Sequence, residues 1–63
     1  MIAVTKLNGH SVVLNAEMIK YLESTPDTMI TLVNGEKLLV KESLEDVVRR
    51  AVEYARSVRV FAA

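Results

Sequence analysis

Two Asn-Gly dipeptides, Asn8-Gly9 and Asn34-Gly35, each interrupt a run of β-forming residues and constrain the fold more than any other feature. Asn-Gly favours a two-residue hairpin turn, because both central residues of a type I′ turn need positive φ. The sequences around the two dipeptides are similar, and we interpret them as hairpins built alike. They predict strands over residues 2–7 and 11–14 around the first turn, and over residues 29–33 and 37–41 around the second.

The segment between the hairpins permits either a helix or a strand. Met18, Tyr21 and Leu22 lie at helical spacing, whereas residues 19–24 alternate in a way that fits a strand. Asn15 can cap a helical turn, since its side chain can accept from the N–H groups that follow. We therefore expect one helical turn at residues 16–18, a strand over residues 19–24, and a turn at Thr25-Pro26-Asp27-Thr28.

An amphipathic helix from about Ser43 to Val58 is the clearest element. Ser43 is a good N-cap, and Asp46 stands three residues later, as in a capping box. Apolar residues then recur at steps of three and four and form one stripe. Because Val48 and Val52 belong to that stripe, we expect both to be buried. The stripe is made of Leu44, Val47, Val48, Ala51, Val52, Ala55 and Val58.

These elements predict a single domain over residues 1–63 with an α+β fold. We expect a small twisted antiparallel sheet of four to five strands with the C-terminal helix packed on one face. On the outer side of the helix, i,i+4 ion pairs are expected between Glu45 and Arg49 and between Asp46 and Arg50.

The size of the chain favours self-association. At 63 residues and 7.0 kDa it buries little surface, and domains this small usually gain stability from disulfides, metals or partner subunits. The absence of cysteine excludes disulfides, and a single histidine effectively excludes a zinc site. Since 51% of the residues are hydrophobic, we expect a homo-oligomer. The candidate self-association residues are Met29, Val33, Leu39 and Phe61.

The sequence offers little for catalysis. His10, the only histidine, lies in a hairpin turn, and the adjacent Ser11 is expected to face the other side of its strand. Both glycines belong to hairpin turns, so no phosphate-binding loop is present. We therefore expect no enzymatic activity, no cofactor, no metal and no small-molecule substrate.

Charged side chains are the candidates for partner binding. Eight Lys and Arg balance eight Asp and Glu, which argues against a uniformly basic nucleic-acid binder. We interpret Arg49, Arg50 and Glu53 as exposed groups opposite the apolar stripe, and Lys37 and Lys41 as charges flanking an edge strand. Such groups suit the recognition of a protein partner. The N-terminal residues lack the order of a secretory signal, and no apolar run reaches membrane-spanning length, so a cytoplasmic location is expected.

Several short motifs, in order along the chain, resemble the FlbD family of small flagellar proteins, which includes the swarming motility protein SwrD. The resemblance extends from Ile2 to about Arg56. It implies a non-enzymatic cytoplasmic accessory of bacterial flagellar motility at the flagellar base. Such a protein would act on swarming and motor power through a motor or stator component. The motifs are Leu7-Asn8-Gly9, Leu14-Asn15, Glu23, Pro26-Asp27-Thr28, Ile30, Asn34-Gly35, Val40, Glu42-Ser43 and Tyr54.

A second family of another class shares the general features. Small β-rich dimeric RNA-binding regulators of the carbon-storage type have a similar size, similar hairpins and a terminal helix. The basic residues on the helix and around the last strand are compatible with a phosphate backbone. Salt-dependent binding of RNA would distinguish this alternative from a motility adaptor.

Overall fold

Five β-strands precede one C-terminal helix in the computed structural model, which describes residues 1–62 and the side chains of residues 1–58. The fold is α+β, as predicted from the hairpins and the amphipathic helix. A 3₁₀ turn and a strand fill the segment that the sequence left open, in the predicted order. The elements are β1 (Ile2–Thr5), β2 (Ser11–Leu14), a 3₁₀ turn (Ala16–Met18), β3 (Ile19–Ser24), β4 (Thr28–Leu32), β5 (Lys37–Val40) and α1 (Leu44–Ala62).

The strands form two antiparallel sheets rather than the single sheet expected. One contains β1 and β2, and the other has the order β3-β4-β5. They meet where the end of β1 runs beside β5: Lys6 bridges Val40, and the Lys41 N–H donates to the Thr5 carbonyl at 2.8 Å. The contact continues to Leu7, whose N–H donates to the Leu39 carbonyl at 3.2 Å, and ends where the chain enters the first hairpin. The edge of β5, predicted from its flanking lysines, is thus partly covered.

The core lies between the two sheets and the helix. Alternation along β1 and β2 turns Ile2, Val4 and Leu14 inward and leaves Val13 exposed on the opposite face. Ile30 on β4 and Val47 on α1 are fully buried, so the helix covers the face of the three-stranded sheet that carries Ile30.

Both hairpin turns differ from the predicted type I′ geometry. In the first, the Gly9 N–H donates to the Lys6 carbonyl at 2.9 Å, and the Lys6 N–H donates to the His10 carbonyl at 2.8 Å. Only the glycine has positive φ, at 92°. The Asn8 side chain instead accepts from the His10 N–H at 3.0 Å. This is a three-residue loop with a glycine bulge, and it needs one positive φ rather than two. The second turn repeats it, with Gly35 at φ 93°.

Ser43 caps the helix as predicted. Its hydroxyl accepts from the Asp46 N–H at 3.1 Å. The Asp46–Arg50 ion pair also forms, at 3.0 Å. The Glu45–Arg49 pair does not form, because Arg49 pairs with Asp46 and Glu53 instead.

The prediction that Val48 and Val52 are buried is wrong. Their exposed fractions are 43% and 44%, whereas Val47 is fully buried and Tyr54 packs against the core. The helix is therefore rotated about its axis, so that the side bearing Val47 and Tyr54 faces the sheets. A consequence is that Asp at position 48 or 52 should not unfold the chain, contrary to what the stripe alone indicated.

Candidate functional site

A cluster of charged residues joins the start of the helix to β1. The Glu42 carboxylate accepts from the Thr5 N–H at 2.8 Å, and Arg50 lies 4.0 Å from the same carboxylate. Arg50 also pairs with Asp46 and donates to the Ala3 carbonyl. Arg50 is half-buried against β1, so its predicted position opposite the packed side of the helix is wrong.

The same contacts lower the pKa values of two carboxylates in the cluster, those of Glu42 and Asp46. Partial desolvation raises the pKa of Glu42, but hydrogen bonds from Thr5 and from its own backbone, together with the Arg50 charge, outweigh it and hold that pKa below its usual value. The pKa of Asp46 is also lowered, mainly by the hydrogen bond from Arg49 and further by the charges of Arg50 and Arg49. Both carboxylates are therefore held in the ionised form that Arg50 needs as a partner.

The other predicted helix charges lie on the exposed side. Arg49 pairs with Asp46 and, at 3.3 Å, with Glu53. The structure thus brings Arg49, Arg50 and Glu53 together in one ladder of ion pairs along α1. Lys37 and Lys41 are separate from this ladder, at the two ends of β5. The five predicted partner-binding residues therefore occupy two surfaces rather than one.

The three-stranded sheet has an apolar face on the side away from the helix. Its strand register sets Tyr21 beside Thr31 and Lys37 in one row, and Glu23 beside Met29 and Leu39 in the next. We call Tyr21, Glu23, Met29, Thr31, Lys37 and Leu39 the open sheet face. Tyr21 and Leu39 are 55% and 45% exposed. The Lys20 ammonium lies 5.3 Å from the centre of the Tyr21 ring, where a cation–π contact holds the ring in place.

One polar atom of this face has no partner. Thr31 is 7% exposed, and its hydroxyl oxygen forms no hydrogen bond with any part of the chain that the structure describes. Buried polar groups are normally hydrogen-bonded, and leaving one unpaired costs stability. The middle of the open sheet face therefore carries an unsatisfied hydroxyl group.

Of the four residues predicted for self-association, two, Met29 and Leu39, lie on the open sheet face. Met29 and Leu39 stand directly opposite each other on neighbouring strands. Val33 lies in the following turn and is exposed, and the side chain of Phe61 lies outside the described residues. Tyr21 was missed, although its alternation with Ile19 and Glu23 was visible. Its pairing with Thr31 continues the register of Glu23 with Met29, and the bulge between Ile19 and Tyr21 instead places Ile19 on the core side, which alternation does not reveal.

The comparison with protein families decides between the two families considered. A family model described as FlbD, flagellar and swarming motility proteins, matches residues 1–59. The chain belongs to the FlbD family. This confirms the resemblance carried by the short motifs and favours a role in flagellar and swarming motility over the RNA-binding alternative. Neither the curated proteins nor the solved structures that were compared gave a match.

The FlbD match includes all five strands and most of the helix, so both the charged cluster and the open sheet face lie within it. Over the residues that the structure describes, no helix has the length and hydropathy needed to span a bilayer. The same residues contain no group of three or more potential metal-ligating His, Asp or Glu side chains. His10 is exposed in its hairpin turn.

Proposed function

We propose that this FlbD protein is a non-enzymatic adaptor of flagellar motility, acting in the cytoplasm at the flagellar base by binding a motor or stator component. The observation that carries the proposal is the open sheet face, where Tyr21 and Leu39 are exposed beside the half-buried Met29, within a chain of a flagellar family. Exposed apolar patches on a small domain commonly mark a site where another protein binds.

The composition of the open sheet face suits a protein contact. Tyrosine and methionine are enriched at the centres of protein interfaces, and both occur here with Leu39. Three strands at about 4.8 Å spacing give a flat surface roughly 10 Å across, wide enough for one helix or one extended segment. The Thr31 hydroxyl lies within that surface and would gain a partner if binding moved a neighbouring side chain.

Lysines make the open sheet face and its surroundings more basic than acidic, which favours an acidic partner. Three lysines lie at this surface, Lys37 at the end of one row, Lys20 over Tyr21 and Lys41 after β5, against one acid, Glu23, at the end of the other row. We therefore infer a partner segment that combines apolar and acidic residues. Charges at the rim of an interface chiefly set the choice of partner and the association rate. The charges of Arg49, Arg50 and Glu53 are already paired along the helix, and for that reason the proposal centres on the sheet.

Site-specific photo-crosslinking in motile cells tests this proposal. A photoreactive phenylalanine analogue at position 39 should form an adduct with a motor or stator component. The matched control places it at position 13, where Val13 is also exposed but belongs to the other sheet. Identical adducts from both positions, or no flagellar protein in the position 39 adduct, would contradict the proposal.

A further inference from the structure

The helix has a second apolar surface beside the residues that face the core. Val48, Val52 and Ala55 follow one another at steps of four and three, which places them on one side of α1. All three are exposed, and none belongs to the buried core cluster. We call these three residues the helix flank.

Two charges of opposite sign mark the ends of the helix flank. Glu45 precedes Val48 by three residues, and Arg56 follows Val52 by four. Their separation of eleven residues is about three helical turns, so both lie on the same side as the flank. Both are exposed, and neither forms an ion pair with any described side chain. Among the described side chains near the flank, Arg49 is already paired with Asp46 and Glu53.

We propose that the chain forms a homodimer in which two copies of the helix flank pack antiparallel about a two-fold axis. Reversing the direction of the helix exchanges the places of Glu45 and Arg56. Each Glu45 then meets Arg56 of the second copy, and Val48 packs against Val52 of the second copy. A parallel pair would instead set Glu45 against Glu45 and Arg56 against Arg56, which is repulsive. The pattern of charge therefore selects a second copy in one orientation.

A two-fold interface uses the same patch on both subunits, so each favourable contact occurs twice. The interface adds apolar burial to a small domain whose core is formed within each copy. It also differs from the sequence-based expectation, which assigned self-association to Met29, Val33, Leu39 and Phe61. Dimerisation through α1 leaves the open sheet face free for another partner.

Sedimentation velocity over a concentration series tests the dimer. We expect the wild-type chain to pass from monomer to dimer with rising concentration, and Val52→Lys to stay monomeric over the same range. The matched control is Val13→Lys, which changes another exposed valine, on β2, and should dimerise as the wild type does. Because both valines are exposed, circular dichroism should show both variants folded. A single 7.0 kDa wild-type species at tens of micromolar would overturn the proposal.

A charge exchange tests the orientation. Glu45→Arg and Arg56→Glu should each raise the dimer dissociation constant by about tenfold, because each change acts at two symmetric contacts. Mixing the two variants should restore association, since a mixed dimer again pairs opposite charges at both contacts. Neither change touches the folded core, so loss of folding is not expected to obscure the result. A parallel pair would also join opposite charges in the mixture, so the single variants decide the orientation. If the wild type dimerises and neither Glu45→Arg nor Arg56→Glu weakens the dimer, the antiparallel arrangement is wrong.

Discussion

Glu42 accepts a hydrogen bond from the backbone N–H of Thr5, which lies 37 residues earlier in the chain, at 2.8 Å. Glu42 directly precedes Ser43, the residue that caps the helix, and its carboxylate lies near Arg50. Arg50 in turn donates to the carbonyl of Ala3. Glu42 therefore links three parts of the fold: the end of β1, the start of α1 and the second turn of that helix.

Replacing Glu42 by Ala should lower the free energy of unfolding by about 1–3 kcal/mol, because the partly buried Thr5 N–H loses its acceptor. Urea denaturation followed by circular dichroism measures this change. Glu36→Ala is the matched control, since Glu36 is an exposed glutamate whose carboxylate makes no contact among the described side chains. Equal losses in the two variants would show that the Glu42 contacts contribute nothing specific.

The stability of the fold should fall in acid in a way that depends on Glu42. Because the pKa values of Glu42 and Asp46 are lowered by folding, the unfolded chain binds protons first as the pH falls. The stabilisation is therefore present above their ordinary values of 4.5 and 3.8 and is lost as the pH drops through the lower folded-state values.

Glu42→Gln should reduce this acid dependence, because it keeps an acceptor for Thr5 but removes the titrating charge. Thermal melts between about pH 6 and pH 2 measure it, with Glu36→Gln as the control. A Glu42→Gln melt that follows the wild-type pH curve would be inconsistent with the lowered pKa of Glu42.

The rotation of the helix makes neighbouring valines behave differently. Val47→Asp should unfold the chain, because it buries an unpaired charge in the core. Val48→Asp should cost less than about 1 kcal/mol at concentrations where the chain is monomeric, because position 48 is exposed. Thermal melts of the two variants make the comparison. Unfolding by both would mean that the helix packs on the full width of its apolar stripe.

Removing the unpaired hydroxyl of Thr31 should stabilise the fold, in contrast to the destabilising changes above. Thr31→Val replaces that hydroxyl by a methyl group of similar size and should raise the free energy of unfolding by about 1 kcal/mol. The exposed Thr25, changed to Val, is the control and should leave stability nearly unchanged. A drop in the melting temperature of Thr31→Val would indicate that the hydroxyl is paired in solution.

Local signals in the sequence predicted the elements better than their packing. Asn-Gly dipeptides located both hairpins, and Ser43 located the start of the helix, because turns and caps depend on neighbouring residues. The exposure of Val48 could not be predicted in this way. The helix rotation depends on Tyr54 packing against the core and on Arg50 reaching the Ala3 carbonyl, and both are long-range contacts.

In the candidate site too, the sequence predicted local features but not the arrangement that depends on the tertiary fold. Hairpin alternation was enough to place Met29 and Leu39 on one face, and the structure pairs them across β4 and β5. The position of Ile19, which packs against the core although Tyr21 and Glu23 lie on the open face, required the bulge in β3, which no local pattern indicated. Likewise, the charge of Arg50 indicated a solvent-exposed side chain. Its contact with β1 depends instead on the tertiary fold, which brings the helix beside that strand.

The central claim is that the open sheet face binds the flagellar partner. Measuring the swarming of a deletion strain that carries single variants tests it. Leu39→Glu places a charge on that face at an exposed position, and Val13→Glu does the same on the other sheet. Both proteins should fold and accumulate like the wild type. We predict that Val13→Glu restores the rate of swarm expansion and that Leu39→Glu leaves it near that of the deletion strain. Full restoration by a folded Leu39→Glu protein would contradict the account.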